Sequence, residues 1–382
     1  MKVVVSKLDL VNLTNKLQGL IATKPALPIL ANMLIEAVGD RVTFSATDLT
    51  TSMRCYTEGK IIEEGAIALP ARRFTSLIRE LTAPQVKISA EKTDIAEIAA
   101  GSSVFKINGM PKNVFPILPS FSGNAEIIFD SANLKDILAK ASFSAARDDN
   151  RIVLNGIQLQ IANQKAIFLS TDAKRLCKIT VDIDVDNSFS GSYVIPIKAA
   201  EEMTKMIDEN AKKSSLSLMH DKVFLENGST SLSTKLIAGQ YPDIGKVIPE
   251  NLKDSITIHR EELTTLLRQV ALFTSEEETN IRFVFDKGEL QLNAASKKIG
   301  EGQVSMPVDY NKNRIEAAFN PFYFLDILKH IKDETVSFHV IDAFNPGTIT
   351  DKANGIFMVM PLRLHQNPEP INLHASENPA FT

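Results

Sequence analysis

Only two cysteines, Cys55 and Cys177, occur in 382 residues, with no CxxC spacing, which leaves no disulfide framework and no thiolate metal site to expect. Both read as buried thiols, and a reducing, cytoplasmic compartment is the default expectation. No run approaches the roughly 18 apolar residues that a membrane span needs. Lys7 and Asp9 interrupt the N-terminal MKVVVSKLDL before a signal-peptide core could form. Catalytic signatures are missing too: there is no Walker A loop, no GxGxxG after a strand, no GxSxG elbow and no HExxH. The six histidines show no metal-ligand spacing. Asp182, Asp184 and Asp186 resemble the start of a calcium loop, but such a loop needs Gly at 187 and Glu at 193, where Asn187 and Tyr193 stand. Alternating carboxylates on an exposed strand are the simpler reading. No catalytic residue, metal or cofactor is therefore expected. A net charge of −4 also argues, at first sight, against a nucleic-acid partner.

What the chain does contain is one pattern met three times. Leu10, Leu13, Leu17, Leu20 and Ile21 follow the spacing of a helix with one buried face. So do Leu134, Ile137, Leu138 and Ala141, and again Leu263, Leu266, Leu267 and Val270. Alternating strands come next each time, at Val42, Phe44 and Ala46, at Ile167, Leu169 and Thr171, and at Leu290, Leu292 and Ala294. The anchors keep their distance: Thr47 to Thr171 is 124 residues, Pro70 to Pro196 is 126, Pro196 to Asn320 is 124, and Pro116 to Pro242 is 126.

Within each copy the pattern runs twice. Second helices are expected after Pro70, Pro196 and Asn320, with Pro70 and Pro196 in the first turn, where a missing N–H costs little. The fold class is therefore α+β: three similar domains, at 1–122, 123–250 and 251–364, each with two helices on antiparallel sheets.

Charge counted by element revises the first impression. The six helical segments together carry a net +7, which leaves −11 on the rest of the chain. Weakly basic helices on an acidic body suit a surface that holds a polyanion loosely. No interleaved aromatics form a stacking platform, so any DNA contact should be to phosphates. Geometry then favours a ring. A duplex roughly 20 Å across in an opening of about 30 Å, lined by helices about 10 Å thick, needs about twelve helices. One chain has six, so two chains would close the circle. A Mg²⁺-dependent DNA-processing enzyme would need acids clustered on the basic face, and none cluster there. An interaction scaffold that never touches DNA is disfavoured by the charge split.

At this point particular stretches match a family. KPALPILANMLIEA (24–37), FSATDL (44–49), LPARRF (69–74), RIVLNGIQLQ (151–160), LSTDAKRL (169–176), KLIAGQYPDIGKVIP (235–249) and MVMPLRL (358–364) resemble the bacterial DNA polymerase III β subunit, the sliding clamp. The resemblance implies three clamp-type domains per chain and a head-to-tail dimer forming a six-domain ring around double-stranded DNA. It also implies processivity for a replicative polymerase, and an external clamp loader and repair factors as further partners through short linear motifs. No membrane partner is implied.

Carried over by position, a hydrophobic peptide groove would comprise Leu154, Thr171, Ala173, Lys174, Arg175, Leu176, Pro242, Lys246, Val247, Asn320, Tyr323, Phe344, Pro346, Met358, Val359, Met360, Pro361, Leu362 and Arg363. DNA-facing cations would be Lys24, Arg72, Arg73, Arg79, Lys135, Lys140, Arg147 and Lys198. The subunit contact would pair the Phe105 and Ile107 strand with the Leu272 and Phe273 helix end of the other chain. Two departures stand out. Ile152 and Val153 replace the family's DNA-touching tyrosines, so those contacts are not carried over. A tail, 365–382, follows where the family usually stops; with Pro368, Pro370 and Pro379 it is expected to be disordered.

Overall fold

A computed structural model of the chain describes residues 1–91, 94–119, 126–249 and 255–363. The tail expectation for 365–382 lies outside the described residues. Six α-helices occur among them: α1 (Lys7–Leu17), α2 (Ala71–Glu80), α3 (Ser131–Ser142), α4 (Ile197–Met206), α5 (Arg260–Ala271) and α6 (Pro321–His330). All six stand where the apolar spacing predicts them.

Each helix follows directly on a strand or one residue after it, and two kinds of start alternate. The strands Lys2–Ser6, Glu126–Asp130 and Ile256–His259 end in a side chain that caps the helix behind it. Ser6 Oγ accepts from Asp9 N, Asp130 Oδ1 from Asn133 N at 2.9 Å, and His259 Nδ1 from Glu262 N at 3.4 Å. One orphan N–H of each first turn is thereby satisfied. The second helix of each copy starts differently. Pro70 and Pro196 are the last residues of the strands Gly65–Pro70 and Gly191–Pro196 and sit at the cap, one position ahead of the first turn. In the third copy Pro321 opens the helix, and Asn320 Oδ1 accepts from Phe322 N at 2.9 Å.

The chain divides into two compact units. The first comprises residues 1–249 together with His330–Lys332 and Thr350–Phe357; the second comprises 255–329, Asp333–Ile349 and 358–363. Three equal domains do not appear as three separate bodies because backbone pairing continues from the first copy into the second. An eight-stranded antiparallel sheet runs in the order Glu126–Asp130, Lys213–Leu218, Lys222–Asn227, Thr230–Lys235, Thr51–Glu58, Arg41–Thr47, Asn32–Val38, Gly65–Pro70. Its joint is the pairing of Thr230 with Cys55, continuing to Thr234 with Thr51.

A five-stranded sheet completes the first copy, from Lys60–Glu63 through Lys2–Ser6, Gln85–Ala90 and Ile95–Ala100 to Ser103–Asn108. In the second copy Gly191–Pro196, Gly156–Ala162, Lys165–Thr171 and Arg175–Asp182 lie side by side. The second unit holds a four-stranded sheet, Gly300–Pro307, Glu289–Ser296, Ile281–Asp286 and Ile315–Phe319, and a pair, Ile256–His259 with Thr335–His339.

The helices cover these sheets with the faces that the spacing picked out. Leu10, Leu13, Leu17, Leu134, Ile137, Leu138, Leu263, Leu267 and Val270 are buried. In the second unit Phe283, Phe319, Phe324 and Phe338 pack ring on ring with centroids 5.1–6.1 Å apart, a large apolar area that fixes α6 on its sheet. Cys55 and Cys177 are both buried and free, and burial pushes both thiols up, Cys55 to about 11.

Candidate functional site

The repeat is visible down to single hydrogen bonds in two turns. Thr47 Oγ1 donates to Thr51 O at 2.9 Å and accepts from Leu49 N at 3.0 Å, while Asp48 Oδ1 accepts from Thr50 N and Thr51 N. One repeat later Thr171 Oγ1 donates to Arg175 O at 2.6 Å and accepts from Ala173 N at 3.0 Å, and Asp172 Oδ1 accepts from Lys174 N and Arg175 N. Both turns need a left-handed residue, Leu49 at φ 75° and Ala173 at φ 70°. The threonine and aspartate hold that conformation in place. What differs is the cargo: Thr51 and Ser52 in the first copy, Arg175 and Leu176 in the second.

In the second copy the turn is braced from both sides. The buried Tyr241 hydroxyl accepts from Thr171 N at 3.1 Å, which ties the QYPDI segment to the turn, and burial raises that phenol far above its usual range. Asp172 Oδ2 receives Arg175 Nε at 3.2 Å, and the Arg175 guanidinium lies 5.5 Å from the centre of the Phe143 ring. Tyr241→Phe should leave the Thr171 N–H without a partner in a buried site. The expected cost is about 1–3 kcal/mol, checked by urea unfolding. A midpoint equal to that of the parent would show that the bond contributes nothing.

The remaining expected groove residues divide by exposure. On the first unit Ala173, Lys174, Pro242 and Val247 are exposed, and Lys246 sits in the short turn Gly245–Val247. On the second unit Phe344, Met360, Leu362 and Arg363 are exposed and Asn320, Tyr323 and Pro361 half-buried. Phe344 is held out by Asp342, whose Oδ1 accepts from Phe344 N at 2.7 Å and Asn345 N at 2.8 Å. Those backbone donors keep the Asp342 carboxyl below the usual carboxylate range. Leu362 N donates to Ala318 O at 2.8 Å, which fixes this segment beside the strand that leads into α6.

The other expected groove residues are enclosed in the free chain: Leu154, Met358 and Val359 are at most 2% exposed and Leu176 5%, and Thr171 and Pro346 are buried as well. Sequence reasoning missed two exposed neighbours, Phe322 and Ile341. Phe322 stands between the expected Asn320 and Tyr323, and Ile341 three residues before Phe344, and that proximity was the available signal.

The expected DNA-facing cations also separate. Lys24, Arg72, Arg73, Arg79, Arg147 and Lys198 are exposed and Lys135 is half-buried. Lys140 is a correction: it is 5% exposed, and its Nζ lies 2.8 Å from both Asp136 Oδ2 and Asp351 Oδ2. An amine so placed is unavailable to a phosphate. Burial alone would lower Lys140 and raise Asp136, but the hydrogen bonds and charges of the partners outweigh it, so Lys140 is raised and Asp136 lowered. Lys332 adds a second cation to Asp136 at 3.1 Å.

At the expected subunit contact, Ser103–Asn108 is an edge strand with Phe105 exposed. Ile107, on the same face of that strand, is buried in the free chain. Leu272, at the end of α5, is exposed, whereas Phe273 lies across the edge strand Gly300–Pro307. A Cβ on Gly302 would meet its ring at 2.5 Å. The calcium-loop carboxylates are otherwise engaged: Asp182 pairs with Lys165 at 2.9 Å, and Asp186 accepts from Ser188 N and Oγ. No group of three or more His, Cys, Asp or Glu among the described residues is placed to hold a metal. No helix among them is long and apolar enough to cross a membrane.

An α+β chain built from three like domains, with cations on its helices and exposed apolar turns, is the architecture of a clamp. Three family profiles match it in order: DNA polymerase III β subunit, N-terminal domain over 1–119, central domain over 129–243, and C-terminal domain over 245–363. The chain belongs to the DNA polymerase III β-subunit family, the sliding clamps of DNA replication, which act as processivity factors and not as enzymes. It is 46% identical over 367 residues to the β sliding clamp of Chlamydia pneumoniae, covering 96% of this chain and 100% of that one. The Haemophilus influenzae β sliding clamp is 24% identical over 365 residues, covering 94% of this chain and 99% of that one. Among solved structures, the Pseudomonas aeruginosa clamp bound to griselimycin superposes with a TM-score of 0.90 at 24% identity, over 95% of this chain and 100% of that chain. The Bacillus subtilis clamp does so with a TM-score of 0.90 at 22% identity, over 96% and 100%.

Proposed function

We propose that two copies of this chain close head-to-tail into a six-domain ring, with domains at 1–122, 123–250 and 251–364. The ring encircles duplex DNA without reading its sequence, and peptide motifs of the replicative polymerase, the clamp loader and repair factors dock on it, in the cytoplasm. The observation that carries this reading is the sixfold strand-then-helix repetition with cations on the exposed helix faces, set in an otherwise acidic chain. Lys24, Arg72, Arg73, Arg79, Lys135, Arg147 and Lys198 supply phosphate contacts, which position DNA without specifying a base. On the first unit the exposed residues around Ala173 and Val247, with Lys174 and Arg175, offer apolar and cationic contacts to a peptide, and on the second unit Phe344, Met360 and Leu362, with Arg363, do the same. The edge strand Ser103–Asn108 of one chain meets the α5 end and the edge strand Gly300–Pro307 of the other, so that two open sheet edges cover each other.

Topology gives the decisive test. Loaded onto nicked circular DNA by a clamp loader with ATP, the protein should stay on the circle through high salt and run off once the DNA is linearised. A protein that merely binds the groove would instead dissociate steeply with salt and ignore the cut. That second behaviour would overturn the ring.

A further inference from the structure

The cations on the helices of the first unit are held in two different ways. Around α1 and α2 their acceptors are neutral. Arg79 donates to Asn15 Oδ1 at 2.6 Å and Gln18 Oε1 at 3.4 Å, Arg72 to Thr23 Oγ1 at 2.9 Å, and Lys16 to Thr230 Oγ1 at 3.1 Å. Around α3 and α4 the acceptors are carboxylates. Lys135 meets Glu209 at 2.9 Å, Arg147 meets Glu201 at 2.7 Å, and Lys205 meets Glu202 at 2.7 Å. The repeat makes the contrast specific. Arg147 stands 124 residues after Thr23, and Glu201 stands 126 residues after the buried Thr75. The second copy has thus gained both a cation and the acid that answers it.

A neutral acceptor leaves a guanidinium its full charge. A carboxylate at salt-bridge distance makes the pair nearly neutral to anything farther away than the pair itself, and salt screens the rest within about 10 Å. Exposed pairs of this kind contribute little to folding, so a purely structural role leaves them without a reason.

We propose that Glu201 and Glu209 are internal competitors for DNA phosphates. They weaken, without abolishing, the phosphate contacts of Arg147 and Lys135, so that the α1–α2 sector supplies most of the phosphate attraction and the α3–α4 sector offers a more nearly neutral track along which the duplex slips. This rests on the reading that the exposed helix faces meet the duplex.

The test is an anisotropy titration of the full-length protein against a short fluorescein-labelled linear duplex over a range of salt. Glu201→Gln with Glu209→Gln frees two cations. It should raise affinity about tenfold or more near 0.1 M salt and steepen the salt dependence by about two phosphate contacts. Unchanged affinity and slope overturn the proposal. Asp182→Asn frees Lys165 from a pair of the same length on a strand, not a helix, and should change neither quantity. An equal gain there would mean that only net charge matters, and would also overturn it. Arg72→Ala with Arg79→Ala tests the underlying reading separately. It should weaken binding; if it does not, the helices are not the DNA face and the proposal falls with that reading.

Discussion

Replacing Asp351 with alanine is expected to cost about 3–5 kcal/mol of stability, the usual consequence of removing one partner of a buried ion pair. Its side chain is 1% exposed and does two jobs. Oδ2 meets the buried Lys140 amine at 2.8 Å, and Oδ1 accepts from Ala353 N at 3.1 Å and Gly355 N at 2.7 Å. The variant loses a charged bond and two turn hydrogen bonds together. Asp136→Ala should cost less, because that carboxylate is 26% exposed and its loss leaves Lys140 paired with Asp351. Urea unfolding followed by circular dichroism measures both. Equal losses for the two variants, or no loss for Asp351→Ala, would mean that the network is not a buried ion pair in energetic terms. Segments distant in the chain depend on it: His330–Lys332 and Thr350–Phe357 belong to the first unit, and Lys332 and Asp351 reach α3 through this cluster.

The second large effect concerns peptide binding. Phe344 is 83% exposed on a turn that Asp342 rigidifies, so it presents an aromatic face at little entropic cost to a partner. On the proposed docking role, Phe344→Ala should weaken binding of a polymerase-derived clamp-binding peptide by about 30-fold, or ~2 kcal/mol, the threshold of a binding hot spot. Unfolding should be unaltered, since the ring packs against little in the free chain. Calorimetric titration reads the affinity. A loss under threefold would remove Phe344 from the docking surface.

Much of this was legible in the sequence because helices and caps are local. The apolar spacing of α1, α3 and α5, and the side chains that precede them, are written within a dozen residues of one another. The repeat then extended the reading: once Thr47 and Asp48 are matched to Thr171 and Asp172, both turns follow. Lys140 shows the limit. Asp136, four residues away on the same helix, is a visible partner, but Asp351 lies 211 residues on, and nothing local says that the amine is enclosed. Ile107 shows a similar limit. Alternation puts Phe105 and Ile107 on one face of the strand, but it does not say how far along an edge strand that face is covered, and only Ile107 is buried. Leu154, Met358 and Val359 carry family motifs, yet matching a motif does not separate the side chain that touches a ligand from the one that supports it.

The edge strand Ser103–Asn108 has one more consequence. Val104 and Phe105 stand out from an unpaired backbone edge, a template that any extended chain can extend. In the proposed ring, closure covers this edge as well as encircling DNA, and mass action sets how well. At high protomer concentration the edge is occupied by its proper partner; on dilution the same surface is offered to every misfolded neighbour. The fraction of lone protomer, set by the dimer's dissociation constant against the concentration, then governs how much protein survives in solution.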